Sequence, residues 1–410
     1  MMHAVTPKKT YLQSKKKIKN KKFDVIINEL YKEKVRKINE ALDCDPVDIF
    51  TLRKLMFSYG GCINNDLRCK VWPKLLNVDI FNILKGKSVD DEIEEFKKNV
   101  WWNQVNLDVN RSYRRFAPNI RMSRRKVLQQ KLLFVIMRVL CRNPHLHYFQ
   151  GYHDIAVTLL RVLGEELASE LLNVLSNTYL RDFMDKDMKR TNNLLSFFYP
   201  ILSKVDKELE EFLTRSEVGT IFALSWLITW FGHDVNKIEV IVRICDIFLA
   251  GHPILPIYFA VTVVVSHRSM ILKRDCEMAM VHQCLSKLPF SMSVDDVEKF
   301  ISDSLAFFKR HPPDSLSKDI IYYMKQSDSI AHHSDLLERS QAQRPDRVLR
   351  KRKRMGKILC ESSLPPILSV ATTEELNANQ SNLLVKAAVW TMTISMGVMT
   401  FLVLNTGKWI

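Results

Sequence analysis

The sequence predicts an all-α fold that contains many helices. Glycine and proline number only 11 and 14 among 410 residues, which argues against a β-sandwich rich in turns. Apolar residues recur at helical spacing over most of the chain, and no alternating strand pattern of any length is present. The one short β-branched run, from Val261 to Val265, lies among helical patterns and is interpreted as part of a buried helix.

Individual helices can be placed from their apolar patterns. Residues 24–43 have the spacing of an amphipathic helix. Asp45-Pro46 is suited to begin the next helix, because a carboxylate can cap it and proline fits the first turn. Gly60-Gly61 marks a turn. Further helical patterns cover residues 127–140, 155–163, 167–180, 202–213, 218–231 and 238–249.

The composition changes near residue 325. Residues 326–382 are dominated by Ser, His, Gln, Arg and Glu, and so polar a segment buries too little surface to offset its ordering entropy. We therefore predict a flexible tether there. The predicted organisation is a basic N-terminal segment with an amphipathic helix (1–45), a helical domain (46–325), the tether (326–382), a membrane span (383–404) and a short lumenal tail (405–410).

The net charge of +16 is concentrated in two runs. Residues 8–22 hold eight lysines, and residues 344–357 hold eight arginines and lysines. Such runs suit an anionic membrane face, nucleic acid or a localisation signal, and they are equally typical of solvated, disordered flanks. Aromatic residues that would stack on bases are almost missing from both runs, so nucleic acid is not an expected partner.

The cysteines and histidines indicate neither disulfides nor a metal site. The eight cysteines contain no C-x-x-C pair and are interpreted as reduced thiols of a cytosol-facing protein. The lysine-rich N-terminus lacks the apolar region of a secretory signal. Cys141, His145, His147 and His153 lie close in sequence, but their spacing fits no common zinc site, so no metal is expected.

The C-terminus carries a candidate membrane span. The 18 residues from Ala387 to Leu404 have no charge, and a helix rising about 1.5 Å per residue would make them about 27 Å long. Lys386 lies at one edge, and Lys408 and Trp409 lie at the other, as interfacial anchors do. A buried core helix is the alternative. The short, moderately polar span favours a thin bilayer of the endoplasmic reticulum type, with the bulk of the chain cytosolic.

Two short motifs carry side chains suited to GTP hydrolysis. In a helix, Val105, Asp108 and Arg111 would lie on one face, with Val105 packing inward and Asp108 holding the guanidinium of Arg111. Such an Asp–Arg pair is more often an ordinary surface salt bridge. The second motif, Tyr148-Phe149-Gln150, is predicted to lie on a connector between two buried helices. Its glutamine amide can position a water molecule or simply bind loop backbone groups.

The order of these motifs resembles the TBC domain, the Rab GTPase-activating family, over residues 55–290. The family pattern runs G-G, L-R-x-x-x-W, I-x-x-D-x-x-R, Y-x-Q-G, W-x-x-x-x-F and D-x-F-L. The matching segments here are Gly60-Gly61, Leu67-Arg68 to Trp72, Val105 to Arg111, Tyr148 to Gly151, Trp226 to Phe231 and Asp246 to Leu249. Val105 replaces the usual isoleucine, a loss of one methylene that an apolar contact tolerates.

The resemblance implies an all-α, multi-helix TBC domain with a dual-finger mechanism. Arg111 and Gln150 would enter the active site of a GTP-bound Rab, with Asp108 and Tyr148 as supports and Val105 packing beneath them. Arg68 and Trp72 would be structural positions. GTP and Mg²⁺ would belong to the Rab, since the chain has no P-loop motif and no cofactor of its own.

A TBC domain followed by a C-terminal span resembles the branch of the family anchored in the endoplasmic reticulum. That resemblance implies a single-pass tail anchor through residues 383–404, a cytosolic domain and a Rab of ER-to-Golgi transport, the Rab-one subfamily, as substrate. The alternative is a membrane-anchored Rab-binding adaptor that uses the same fold without catalysis.

Overall fold

The all-α prediction is confirmed over the residues that the structure describes. The computed structural model describes residues 29–83, 88–112 and 120–362, with side chains described as far as residue 355. Every regular element in these ranges is helical. Val261 to Val265 lie inside a buried helix, Leu255–Ser266, as predicted.

The described helices follow one another with short connections. The α-helices are α1 (29–43), α2 (Ile49–Phe57), α3 (Asn65–Leu75), α4 (Val89–Lys97), α5 (Trp102–Arg111), α6 (Met122–Arg142), α7 (Tyr152–Leu163), α8 (Glu165–Asn177), α9 (Lys189–Leu195), α10 (Phe198–Val205), α11 (Lys207–Arg215), α12 (Ile221–Ile228), α13 (Ile238–Ala250), α14 (Leu255–Ser266), α15 (Arg268–Ile271), α16 (Met278–Ser286), α17 (Val294–Arg310), α18 (Lys318–Gln326), α19 (Asp328–Ser340) and α20 (Asp346–Ser362). Three 3₁₀ helices cover Arg181–Met184, Leu288–Ser291 and Pro313–Ser315.

The centre of the core is formed by α13 and α14. Both are apolar on nearly every side, and a helix of that kind is buried all round. Helix α13 packs against α2, α3 and α17, and α14 packs against α10, α12 and α17. Aromatic rings fill the space around their contact, with Phe248 and Phe259 edge to face at 5.7 Å.

The start of α2 differs from the prediction. Asp48 caps the helix by accepting a hydrogen bond from the Thr51 backbone N–H at 2.9 Å, so Asp45 is not the cap. Asp45 forms an ion pair with Arg344 instead, at 3.1 Å. A carboxylate can accept a hydrogen bond from the backbone N–H three residues later at a helix start. Asp48 is the acidic residue with that spacing to Thr51.

One buried carboxylate joins the N-terminal helices to α13. Asp246 is fully buried and accepts hydrogen bonds from Arg68 Nε at 3.0 Å and Arg68 Nη2 at 2.9 Å. It also accepts from Trp72 Nε1 at 2.9 Å and from the Cys62 backbone N–H at 3.1 Å. Gly61 lies against this carboxylate with φ +50°, and a Cβ there would clash with Asp246 Oδ2. Arg68 and Trp72 therefore lie in the interior of the helical scaffold.

A second charge network lies beside the first. Arg243 binds Glu298 through Nε at 2.6 Å and Nη2 at 2.9 Å, and Glu298 also accepts from the Gly60 backbone N–H at 3.0 Å. Lys34 Nζ donates to the carbonyl of Tyr59 at 2.7 Å. Burial, followed by the positive charge of Arg243, lowers the pKa of Lys34 to about 8. The Gly60-Gly61 turn is thus fixed from both sides by buried charged groups.

The predicted flexible tether is wrong for its first part. Residues 328–340 form α19, which buries Ser329, His333, Leu336 and Ser340. Beyond it, Gln343 Nε2 donates to the carbonyl of Lys74 at 2.6 Å. The apolar surface of this segment is small, but the folded domain supplies polar partners that composition alone does not reveal.

The chain divides into two compact units, residues 1–351 and 352–410. Of the second unit, the structure describes residues 352–362, the C-terminal part of α20. None of the helices among the described residues has the length and apolar character needed to cross a membrane. The predicted span 383–404, the tail 405–410 and the basic run 8–22 lie outside the described residues.

Replacing Gly61 by alanine should destabilise the fold far more than replacing Gly219. Both glycines have positive φ, +50° and +62°, so each Cβ costs about 1–2 kcal/mol of backbone strain. At Gly219 nothing lies within 4 Å of the added Cβ, whereas at Gly61 it would also disturb the Asp246–Arg68 pair. Breaking a buried ion pair costs roughly 3–5 kcal/mol.

Chemical denaturation followed by tryptophan fluorescence would give the two free energies of unfolding. We expect Gly61→Ala to lower the free energy of unfolding by at least twice as much as Gly219→Ala does. Equal losses would show that the added Cβ at Gly61 does not disturb the Asp246 network.

Candidate functional site

Helix α5 presents Arg111 to solvent from a buried base. Val105 is fully buried, Asp108 is 1% exposed, and the Arg111 side chain is 64% exposed. The spacing of these residues gives one helical face, and its burial decreases from the inner residue to the outer one. The arginine therefore emerges at the last turn of α5.

Asp108 connects α5 to a second segment of the chain. Its carboxylate is ion-paired with Arg111 Nη2, and its Oδ1 accepts a hydrogen bond from Gln104 Nε2 at 3.3 Å. Its Oδ2 accepts from the Tyr148 hydroxyl at 2.9 Å. Burial, and then the negative charge of Asp108, raise the pKa of Tyr148 well above its usual range, so this hydroxyl remains protonated and donates.

Tyr148 fixes the connector that carries Gln150. This connector spans residues 143–151, between the end of α6 and the start of α7. The Tyr148 ring is buried and lies edge to face with Tyr152 at 5.9 Å. Gln150, two residues later, is exposed. Arg111 and Gln150 thus emerge from segments that one buried carboxylate ties together.

The residue after Gln150 must be glycine. Gly151 has φ +108°, and a Cβ there would lie 2.8 Å from Thr229 Cγ2. Thr229, at the C-terminal end of α12, therefore packs closely against the connector at Gly151. Helix α7 begins directly after this glycine, at Tyr152, and is buried along most of its length.

Several contacts of the site were not predicted from the sequence. Gln129 Nε2 on α6 donates to the Asn110 carbonyl at 3.3 Å and so holds the last turn of α5. Buried Asp154 lies 3.2 Å from His233 Nδ1. The histidine next to it, His153, lies 3.5 Å from the Tyr148 hydroxyl through Nδ1. The His153-Asp154 dipeptide, which begins two residues after Gly151, was the feature of the sequence that could have indicated these contacts.

The site contains no recognisable metal centre within the described part of the chain. No group of His, Cys, Asp and Glu residues there has an arrangement able to hold an ion. His147 lies edge to face with Trp101 at 5.7 Å, and Cys141 accepts a hydrogen bond from Asn99 Nδ2 at 3.7 Å. The seven described cysteines are all free thiols.

Arg111 and Gln150 thus lie exposed on one helical scaffold, on two segments that are joined through Asp108. The Rab-GTPase-TBC domain model matches residues 65–272, a range that includes both motifs. The chain belongs to this family of Rab GTPase-activating proteins.

Individual relatives extend the likeness beyond the matched domain. The chain is 41% identical to TBC1 domain family member 20 of Mus musculus over 373 residues, which are 90% of this chain and 88% of that protein. The Homo sapiens protein of the same name gives the same values. The GTPase-activating protein gyp10 of Schizosaccharomyces pombe is 32% identical over 256 residues, 62% of this chain and 67% of that protein.

A solved structure shares the fold. The crystal structure of the Ypt/Rab-GAP domain of Gyp1p has a TM-score of 0.51 and 14% identity, and the match covers 68% of this chain and 98% of that one. The described helices therefore form the all-helical fold of TBC Rab-GAP domains.

Removing the Tyr148 hydroxyl should destabilise the domain measurably. Tyr148→Phe keeps the buried ring but leaves Asp108 Oδ2 without this donor, and an unsatisfied buried polar group costs about 1–3 kcal/mol. Tyr322→Phe is the control, because that ring is 58% exposed, and surface changes stay within about 0.5 kcal/mol. Urea unfolding of both variants measures the difference; identical midpoints would refute a structural role for this hydrogen bond.

Proposed function

We propose that this chain activates a Rab GTPase by supplying Arg111 and Gln150 to the partner's active site. The observation that supports the proposal is the shared carboxylate of Asp108. It is paired with Arg111 and accepts the hydroxyl of Tyr148, so both finger segments are held before a partner arrives. Residues fixed in advance lose less conformational entropy on docking.

The two side chains have complementary chemistry. The planar guanidinium of Arg111 is always charged and can bridge two phosphate oxygens, which stabilises charge on the transferring phosphoryl group. The amide of Gln150 both donates and accepts, so it can orient the attacking water against the γ-phosphate. In the Ras system the activator contributes about 10⁵-fold, equivalent to roughly 7 kcal/mol of barrier.

The nucleotide and its Mg²⁺ belong to the Rab in this mechanism. The sequence lacks a P-loop, and the finger residues lie at the surface, where a partner can reach them. Binding therefore brings a complete nucleotide site to the fingers, and the chain itself provides only positioning and charge.

The substrate that we propose is a Rab of the Rab-one subfamily, at the membrane of the endoplasmic reticulum. The support is the combination of a TBC domain with an uncharged apolar stretch at residues 387–404. A single-pass anchor through 383–404 would keep the domain on the cytosolic face and restrict it to Rabs on the same membrane.

Substitution of Arg111 should abolish stimulated hydrolysis and leave Rab binding intact. Arginine fingers contribute about 10³–10⁵-fold to the rate, so Arg111→Ala should lose at least about 10³-fold. Arg111→Lys should lose nearly as much, because an ammonium cannot bridge two oxygens in one plane. Single-turnover GTP hydrolysis with a panel of Rabs measures the rate, and titration with GTP-bound Rab measures binding.

Arg310→Ala is the matched control, since Arg310 is an exposed arginine at the end of α17. Its rate should equal that of the unmodified chain. Unchanged stimulation by both Arg111 variants would reject the arginine-finger role, and binding without stimulation by the unmodified chain would favour the non-catalytic adaptor. Stimulation of other Rabs but not of the Rab-one subfamily would reject the proposed substrate and leave the proposed activity in place.

Deletion of residues 383–410 should release the protein from membranes without loss of activity. The deleted residues include the apolar stretch and lie outside the domain that carries Arg111 and Gln150. Membrane pelleting and single-turnover hydrolysis in solution measure the two properties separately. Continued pelleting of the shortened chain would reject the anchor and direct attention to the basic runs.

A further inference from the structure

Helix α19 lies against the part of the domain that supports the glutamine connector. It covers Asp328–Ser340, beyond the family match that ends at residue 272. Its N-terminus meets the 3₁₀ helix Arg181–Met184, which follows α8. This four-residue helix is here called the bridge helix.

One end of the bridge helix binds α19. Asp182 is 1% exposed, and its Oδ1 accepts hydrogen bonds from the Asp328 backbone N–H at 3.0 Å and the Ser329 backbone N–H at 3.4 Å. Its Oδ2 accepts from the Ser327 hydroxyl at 2.5 Å. The Asp182 backbone N–H donates to Ser329 Oγ at 3.1 Å. A buried carboxylate thus satisfies N–H groups that are unpaired at any helix start.

A second layer of charge reinforces this contact. Arg190 on α9 is ion-paired with Asp328, and its Nε lies 3.1 Å from Asp185 Oδ2. Arg181 also approaches Asp328, at 3.9 Å. The first residue of α19 is therefore held by arginines from two elements as well as by Asp182.

The other end of the bridge helix binds the connector that carries Gln150. The carbonyl of Met184 accepts a hydrogen bond from the His147 backbone N–H at 2.9 Å. The ring of Phe183 lies 6.3 Å from the ring of Phe149, in an edge-to-face arrangement. Phe149 directly precedes Gln150, so the side chain and the backbone of the bridge helix both contact the residues that set the position of the glutamine.

We infer that Asp182 and the start of α19 are positioning elements for Gln150. The bridge helix is too short to hold its own geometry, because a single 3₁₀ turn makes few hydrogen bonds. Its place is set by its contacts with α8, α9 and α19, and it transmits that place to the connector. This inference rests on the proposed function, in which Gln150 orients the attacking water.

The experiment compares single-turnover GTP hydrolysis by the full chain and three variants. Asp182→Asn weakens the contact with the Ser327 hydroxyl, and Ser329→Ala removes the acceptor of the Asp182 backbone N–H. Ser334→Ala is the matched control, because Ser334 is an exposed serine of the same helix whose hydroxyl donates only to the Ile330 carbonyl.

We expect the first two variants to lower the maximal rate by about 10- to 100-fold, the range that small misplacements produce. The protein concentration that gives half of the maximal rate should stay unchanged, because Asp182 and Ser329 are buried and Arg111 is not altered. Ser334→Ala should match the unmodified chain. A loss of binding together with rate would indicate general destabilisation and would overturn the inference. Ser329→Ala supplies the test if Asp182→Asn does not fold.

A double-mutant cycle with Gln150→Ala gives the decisive comparison. If Asp182 acts through Gln150, Asp182→Asn should cause no further loss in the Gln150→Ala background. Fully additive losses would overturn the inference while leaving the proposed function in place. An unchanged rate for Gln150→Ala alone would overturn both.

Discussion

The carboxylate of Asp108 is the group on which the geometry of the site depends. A buried charge is costly unless it is paired and hydrogen-bonded, so the fold must bring partners to this position. The partners come from two places: Gln104 and Arg111, each about one turn away on α5, and Tyr148, forty residues further along the chain. The need to satisfy one buried anion therefore sets the relative positions of the two segments that carry exposed Arg111 and exposed Gln150.

Asp246 is also a buried carboxylate paired with an arginine, but both members of this pair lie inside the scaffold. Its arginine partner, Arg68, is buried and makes two hydrogen bonds to the carboxylate, so the whole pair remains inside the scaffold. Arg111 has the same kind of partner, but its side chain is 64% exposed. Exposure separates the two arginines: one can only hold helices together, and the other can reach a docked GTPase. Sequence motifs include both arginines, whereas the structure shows which one is buried and which one is exposed.

Local spacing was sufficient to predict several of the helices and the Val105, Asp108 and Arg111 face, because both follow from the helical repeat. The bond between Tyr148 and Asp108 joins distant parts of the chain, and no local pattern encodes it. Helix α19 was missed for a related reason. Its own composition is polar, and the carboxylate that caps it, Asp182, lies 146 residues before Asp328. Composition indicates how much apolar surface a segment can bury by itself. It does not indicate which hydrogen-bond partners the rest of the domain provides.

The connector of Gln150 is consequently held from two directions. Tyr148 fixes it to α5 through Asp108, and the bridge helix contacts it at His147 and Phe149. An activator that acts in trans gains from such bracing, because each side chain or loop that is ordered only on docking costs about 0.5–1.5 kcal/mol. Part of this bracing comes from α19, which lies beyond the residues that the family model matches. On the positioning role inferred for α19, its displacement should lower the rate of hydrolysis and leave the affinity for the Rab unchanged.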